Sequence, residues 1–441
     1  MNGRQAAHRA WRQLRGDATY RLYDYYRREC VRGIQPETSQ LGLSALLAHA
    51  ATVPYYADFL SGLRDEDPYH VLSTLPLLTK QIIRDQLPRL CTHDLRTRKW
   101  RFNTSGGSTG EPVRFVQDVG YNARTNGLTM LYSHLVGQEF GQSELRLWGA
   151  ERDILEGGVG AWASVRAWAS NTATVNAFRM TPATMNRLVG TMNRRPPRLI
   201  LAYAQAIYEL AVYAESAGLR VRAQRAVMTS AGTLYPFMRE RIERVFACPV
   251  FNRYGSREVG DIACETPLGE GLWIAPWGVH VEVLGEDGAP LPDGEEGELV
   301  VTSLCNYAMP LIRYRIGDRG SLAPMGVGWQ GRSSRSFVKI TGRTVDAFRL
   351  LDGTLIDGEY FTHLLYYRDW VQRFQVVQVD YQTIVIRIVA FSTAPSGAED
   401  EIAFGVRAVM GDSCSVRFEY PAQIASSASG KYRYTVSELQ A

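Results

Sequence analysis

Up to about residue 100, apolar positions recur among arginines at helical spacing, and this stretch is expected to be mostly helical. Tyr20, Tyr23, Tyr25 and Tyr26 lie in it and read as a packing surface. Beyond Trp100 the pattern changes to short apolar runs separated by helical stretches. LRLWGA (145–150), LILAY (199–203) and AVMTSAG (226–232) read as buried strands. Between them, Thr181 caps a helix that opens on Pro182, and Gly218 stops another. Strands alternating with helices predict parallel α/β layers. Residues 279–302 turn to strand character, with Asp287-Gly288 and Asp293-Gly294 as tight turns. After Gly342-Arg343 come a helix near 358–368, strands in FQVVQV and TIVIRIVAF, a helix near 399–409 and a strand in CSVRFEY. The expected fold is α/β: a large multi-layer domain of mixed sheets and helices over 1–342, and a small α+β domain over 343–441.

Composition narrows the class without changing the picture. A chain of 441 residues can build two or three unequal cores, and 45% hydrophobic with 21% charged residues is a globular balance. A net charge of +4 implies no dedicated nucleic-acid surface and does not oppose an anionic nucleotide. The six cysteines are scattered with no C-x-x-C pair, which fits a reducing compartment and argues against structural zinc. Arg4, Arg9, Arg12 and Arg15 are not followed by an apolar run, so no secretory signal is expected. No stretch approaches the ~18 apolar residues of a membrane span. The expected location is the cytoplasm.

Five segments carry chemistry. The first, Thr104 to Pro112, holds Ser105, Gly106, Gly107, Ser108, Thr109 and Gly110. Glycines admit close backbone approach to an anion, and hydroxyls with free N–H groups can wrap phosphate oxygens; the other reading is a Gly/Ser surface loop. GxxxxGK[ST] is absent, so it is not a Walker loop. Its GGSTG also matches the G-x-S-x-G elbow of serine hydrolases with Ser108 as nucleophile. That elbow needs a helix next, whereas Pro112 and Val113-Arg114-Phe115-Val116 follow. The second segment, Asn252 to Glu258, sets Tyr254, Gly255 and Ser256 before Glu258, after an expected strand: an aromatic for a purine face and a carboxylate for Mg²⁺, or an ordinary Tyr-Gly turn. The third, Leu311 to Asp318, ends an apolar-basic run on a carboxylate expected at a strand end, suited to two ribose hydroxyls or to a salt-bridged turn. The fourth is Gly342 to Asp346, containing Arg343; the fifth, Ser427 to Arg433, puts Lys431 in a Gly/Ser loop, where a solvated tail is the plainer reading.

In this order the five segments resemble the core motifs of the adenylate-forming superfamily, over roughly residues 100–441. The Gly-Gly pair, MTSAGTL (228–234) and the run from GEEGELVVTSL through MPLIRYRIGD are similar to phenylacetate–CoA ligases and their capsule-biosynthesis relatives. The resemblance implies that Ser105 to Gly110 cradle the β- and γ-phosphates of ATP and that Tyr254 stacks near adenine. It puts Glu258 on Mg²⁺, with Thr109, and Asp318 on the ribose with Arg343 near it at a hinge. Lys431, from a mobile small domain, would bridge carboxylate and α-phosphate. Trp148, Tyr203, Ala231 and Gly232 fall where such proteins line the acyl pocket. The implied reaction is ATP-dependent activation of a small carboxylic acid to an acyl-adenylate, with pyrophosphate release.

Two departures bear on the acceptor. Val345 stands where many relatives carry an acid before Asp346, and Arg349-Leu350-Leu351-Asp352-Gly353 replaces the Arg-Gly or Lys-Gly loop of CoA-thioester formers. An amine or a carrier-protein thiol is therefore expected to outcompete CoA, which stays the alternative. Cys264 aligns with a cysteine of metal sites in some relatives but lacks a Cys/His cluster and reads as structural. Other readings are a non-catalytic adenylate-binding relative, against which Glu258 and Lys431 argue, and the Ser108 hydrolase. The acid itself depends on side chains spread over several strands.

Overall fold

The computed structural model describes residues 3–62, 66–105, 113–148, 170–177, 180–267, 269, 271–325, 335–343, 348–356, 358–366, 368, 370–424 and 434–439. The chain opens with α1 (Gly3–Leu14), α2 (Thr19–Arg32), α3 (Thr38–Ala50), α4 (Pro54–Leu60), α5 (Pro68–Thr74) and α6 (Lys80–Leu90). Local chemistry sets several starts. Pro54 and Pro68 occupy first turns, and the side chains of Asp67 and Thr79 accept the N–H groups of His70 and Ile82. Three of the four tyrosines behave as expected: Tyr20, Tyr23 and Tyr26 are buried against α7 (Val119–Leu135) and Trp277, whereas Tyr25 is exposed. The hairpin of β1 (Trp100–Thr104) and β2 (Arg114–Asp118) precedes α7.

Next come β3 (Glu144–Trp148), β4 (Thr172–Asn176), α8 (Pro182–Arg194), β5 (Leu199–Tyr203), α9 (Ala204–Ser216), β6 (Val227–Ser230), α10 (Pro236–Phe246), β7 (Val250–Ser256), β8 (Gly260–Cys264) and β9 (Leu272–Ile274). They are followed by β10 (Val279–Leu284), β11 (Gly297–Ser303), β12 (Tyr314–Leu322) and β13 (Ser336–Arg343). Among the described residues these strands form one sheet of eleven, in the order β10-β11-β12-β13-β9-β8-β7-β6-β5-β3-β4. From β4 to β6 neighbours run parallel, and β7 is the switch. Its residues Val250 to Asn252 pair parallel with β6, and Arg253 to Ser256 pair antiparallel with β8. Every residue of β5 is buried, as a strand covered on both faces demands. One face packs on α8, α9 and α10, the other on α2 and α7. Residues 149 and 150, expected to extend β3, lie outside the described residues.

The antiparallel half curls. The Tyr254 hydroxyl on β7 donates to Asp318 Oδ2 on β12 at 2.6 Å, although three strands separate the two in the sheet. At about 4.8 Å per strand a flat sheet would hold them roughly 19 Å apart, beyond the reach of a tyrosine and an aspartate. Arg313 ties the helical start to this half. It takes φ 51°, pairs with Glu282 at 3.0 Å and donates to the carbonyls of Ser73 (2.9 Å) and Leu75 (2.7 Å).

The remaining chain builds a second α+β unit with its own core. It holds the hairpin β14 (Phe348–Arg349) with β15 (Leu355–Ile356), α11 (Gly358–Tyr366), β16 (Val371–Asp380), β17 (Thr383–Ala390), α12 (Ala398–Met410), β18 (Ser415–Glu419) and β19 (Thr435–Ser437). The four-stranded sheet runs β18-β17-β16-β19. Buried Gln378 joins its pieces, since its amide accepts from Arg349 N at 2.9 Å and donates to Arg349 O at 2.6 Å. Ser437 Oγ adds a third bond to the same amide oxygen, at 3.2 Å. The expected division at 342/343 falls at the end of β13.

Candidate functional site

The parallel strands end where open α/β sheets usually bind ligands. Pairing of Tyr203 with Ser230 and of Leu147 with Ala202 sets Trp148, Tyr203 and Ser230 side by side at those ends. The Trp148 and Tyr203 rings stand 4.6 Å apart. The chain then turns sharply: Ala231 takes φ 51° and Gly232 φ 139°, before α10 opens on Pro236. A left-handed alanine is costly and marks a turn imposed by its surroundings.

The hairpin carries Ser105, at the start of the first motif. Ser105 N donates to Val113 O at 2.9 Å, and Val113 N donates to Ser105 Oγ at 2.9 Å, so the base of the Gly-rich loop is closed on both sides. Gly106, Gly107, Ser108, Thr109 and Gly110 lie outside the described residues, as do Asp346 and Lys431. Gln117 on β2 donates to Arg257 O at 2.9 Å and accepts from Asn103 at 3.0 Å, which fastens this hairpin to the second motif.

Asn252 to Ser256 of the second motif are part of β7, where the sequence placed the motif after a strand and left an ordinary Tyr-Gly turn as one reading. Gly255 is required: a Cβ there would lie 2.6 Å from Gly260 O. Ser256 Oγ accepts from Val259 N at 3.4 Å. Tyr254 stands edge-on to Phe337 and, through its hydroxyl, holds Asp318. Glu258 is buried, and the fully buried Tyr314 donates to its Oε1 at 3.3 Å. Two tyrosines and two carboxylates therefore connect β12 with the β7 motif in both directions. Asp318 corrects one expectation: it sits inside β12 rather than at a strand end. Gly317 at φ 91° lies just before it, next to a break in the β11 register. Arg343 is opposite Asp318 in the ladder between β12 and β13, so these two motifs are strand neighbours.

Glu258 is a buried anionic oxygen donor, the hard ligand type that suits Mg²⁺. No group of three His, Cys, Asp or Glu residues able to hold a metal occurs among the described residues. Cys264 is fully buried and burial pushes its thiol pKa up, as for an inert packed cysteine. No helix among the described residues is long and apolar enough to cross a membrane. Tyr314, Gln117 and Arg253 were not singled out from the sequence. Tyr314 and Arg253 lie within the quoted motifs; the curl of the sheet sets the partner of Tyr314, and the β7–β8 ladder sets that of Arg253.

Residues 350–438 match the CapK C-terminal domain. Protein CapK of Staphylococcus aureus is 23% identical over 375 residues, covering 84% of this chain and 81% of that one. Phenylacetate-coenzyme A ligase of Escherichia coli (strain K12) is 37% identical over 115 residues, 25% of each chain. Among solved structures, 2-hydroxyisobutyryl-CoA ligase in the postadenylation state superposes with a TM-score of 0.61 at 17% identity. That match covers 91% of this chain and 89% of the other, which shows a shared fold.

Proposed function

We propose that this chain, which is similar to CapK and to the phenylacetate–CoA ligases, is an adenylate-forming enzyme, an AMP-forming ligase for a carboxylic acid. The observation that carries this reading is the reciprocal pairing of Tyr254 with Asp318 and Tyr314 with Glu258, which joins two motifs far apart in sequence. In the reaction, an oxygen of the acid attacks the α-phosphorus of ATP, the bond to pyrophosphate breaks, and an acyl-adenylate remains. An acceptor then attacks the acyl carbonyl and AMP leaves. The opening barrier is repulsion between a carboxylate and a polyanion, so cations and fixed N–H donors dominate catalysis. The backbone of Ser105 to Gly110 receives the β- and γ-phosphates. Tyr254 lies near adenine while holding Asp318 toward the ribose hydroxyls, with Arg343 beside it. Glu258, with Thr109, would hold Mg²⁺, which would supply charge to neutralise the phosphates. Lys431 comes from the smaller unit, which closes over the larger one for adenylation and turns about residues 343–346 for transfer.

The acceptor is an amine or a carrier-protein thiol ahead of CoA. In support, Leu350 to Thr354 form a tight hairpin turn, with Leu350 N donating to Thr354 O at 2.8 Å and Gly353 at φ 85°. Running the half-reactions separately tests the scheme. Lys431→Ala should abolish acyl-adenylate formation from acid and ATP, yet still transfer acyl from supplied acyl-adenylate to amines or carrier thiols. Wild-type adenylation by that variant would make Lys431 a solvated tail residue, and fast transfer to CoA alone would overturn the acceptor assignment.

A further inference from the structure

The row of side chains at the parallel strand ends continues one strand further than the resemblance suggests. Thr229 pairs with Asn252 and Tyr203 with Ser230, so the residue beside Ser230 on β7 is Arg253. The face is fixed by the residues two positions earlier, because Leu201, Met228 and Phe251 share one core with α7. By register Trp148, Tyr203, Ser230 and Arg253 thus stand at one level, with the Tyr203 ring also packing into the core shared with α8 to α10.

An arginine is unexpected in a row that otherwise offers aromatic rings. Arg253 is 9% exposed, and among the described residues its Nε has no hydrogen-bond partner. Its Nη1 lies 3.4 Å from Asp261 Oδ2, an oxygen that also accepts from Thr129 Oγ1 on α7 at 2.6 Å. A desolvated guanidinium keeping an unused donor next to a shared carboxylate is costly unless something else binds there.

We infer that Arg253, with Asp261, selects an acid bearing a hydroxyl group, which accepts from the guanidinium and donates to the carboxylate. This rests on the proposed acid-activating reading and names its substrate class. A hydroxyl suits both partners at once. A second carboxylate would satisfy Arg253 but oppose Asp261, and an alkyl or aryl substituent would offer the guanidinium no acceptor.

The test is ATP–pyrophosphate exchange by the full chain with matched acids: lactate against propionate, gluconate against hexanoate, mandelate against phenylacetate, and succinate against butyrate. The hydroxylated member of at least one pair should be favoured by at least about tenfold in kcat/KM. Arg253→Leu should bring that ratio close to one, and Asp261→Asn should lower it. Arg253→Lys, which keeps the charge, should retain part of the preference and covers the case in which Arg253→Leu does not fold. Preference for the unhydroxylated acids or for succinate overturns the assignment, as does a ratio untouched by these substitutions. Melting-temperature shifts with the same acids, without ATP, read the pocket by itself. If no acid supports exchange but a hydroxy acid stabilises wild type and not Arg253→Leu, acid activation fails while the Arg253 assignment stands.

Discussion

The parallel and antiparallel halves of the long sheet deliver side chains to one region by different means. In the parallel half, register does the work. Trp148, Tyr203 and Ser230 are neighbours because β3, β5 and β6 end together, and their contacts would survive moderate changes in the loops beyond. In the antiparallel half, curl does the work. Tyr254 reaches Asp318 across 64 residues and Tyr314 reaches Glu258 across 56, through strands that are not sheet neighbours. On the proposed reading the first half would shape a surface for an acid and the second would place individual charges, so a single substitution in the second half should act on chemistry rather than on fit.

The largest effect should therefore follow from Glu258→Gln. The amide keeps an oxygen for the Tyr314 hydroxyl but gives up the charge that would hold Mg²⁺. Adenylation should fall by two to three orders of magnitude, about 3–4 kcal/mol of transition-state stabilisation, with the melting temperature nearly unchanged. Pyrophosphate exchange at saturating Mg²⁺ measures it, and unchanged turnover would remove Glu258 from the site.

The two halves also differ in how far they could be read before the structure was known. LILAY is a continuous apolar run and became β5, AVMTSAG gave β6 over Val227–Ser230 with Ala231 and Gly232 turning beyond it, Thr181 capped α8, and Gly218 followed the end of α9. Asp287-Gly288 and Asp293-Gly294 turned as expected, with both glycines at positive φ. Those outcomes depend on local pattern, which a sequence carries. The position of Asp318 depends on a curl that no local pattern carries, so a carboxylate after Ile316-Gly317 read as a strand end although the strand continues to Leu322. Likewise Tyr254-Gly255, expected after a strand and open to reading as an ordinary turn, lies inside β7; residue 255 is glycine because Gly260 O lies against it. Arg253 was quoted as part of a motif, and its meaning came only from the residues beside it.

A smaller effect separates the two tyrosines. Tyr254→Phe removes one hydrogen bond to Asp318, worth about 1 kcal/mol, and should raise the KM for ATP about fivefold with kcat little changed. Tyr314→Phe should instead raise the Mg²⁺ concentration needed for half-maximal adenylation, because its partner is Glu258. If both variants change the same parameter, the two pairs are not separate supports and the division into ribose and metal sides is wrong.

The smallest effect lies at the far edge of the antiparallel half and concerns stability alone. His280 on β10 stands opposite Thr302 with its ring 5.2 Å from Tyr69. Burial, helped by the charge of Arg335, lowers its pKa from 6.5 to about 4. Between those values the unfolded chain binds a proton that the folded chain does not, so acid favours unfolding. The contribution is complete above pH 6.5 and is lost as pH falls toward 4. His280→Gln removes the titrating group, so the urea midpoint of wild type should drop more than that of the variant between neutral pH and about pH 5. Exchange activity at neutral pH should be the same in both proteins, since His280 belongs to neither the row at the strand ends nor the tyrosine–carboxylate pairs. Equal loss of stability in the two proteins would mean that His280 titrates in the folded protein as it does in the unfolded one, and that this edge of the sheet is wetter than its packing against Tyr69 implies.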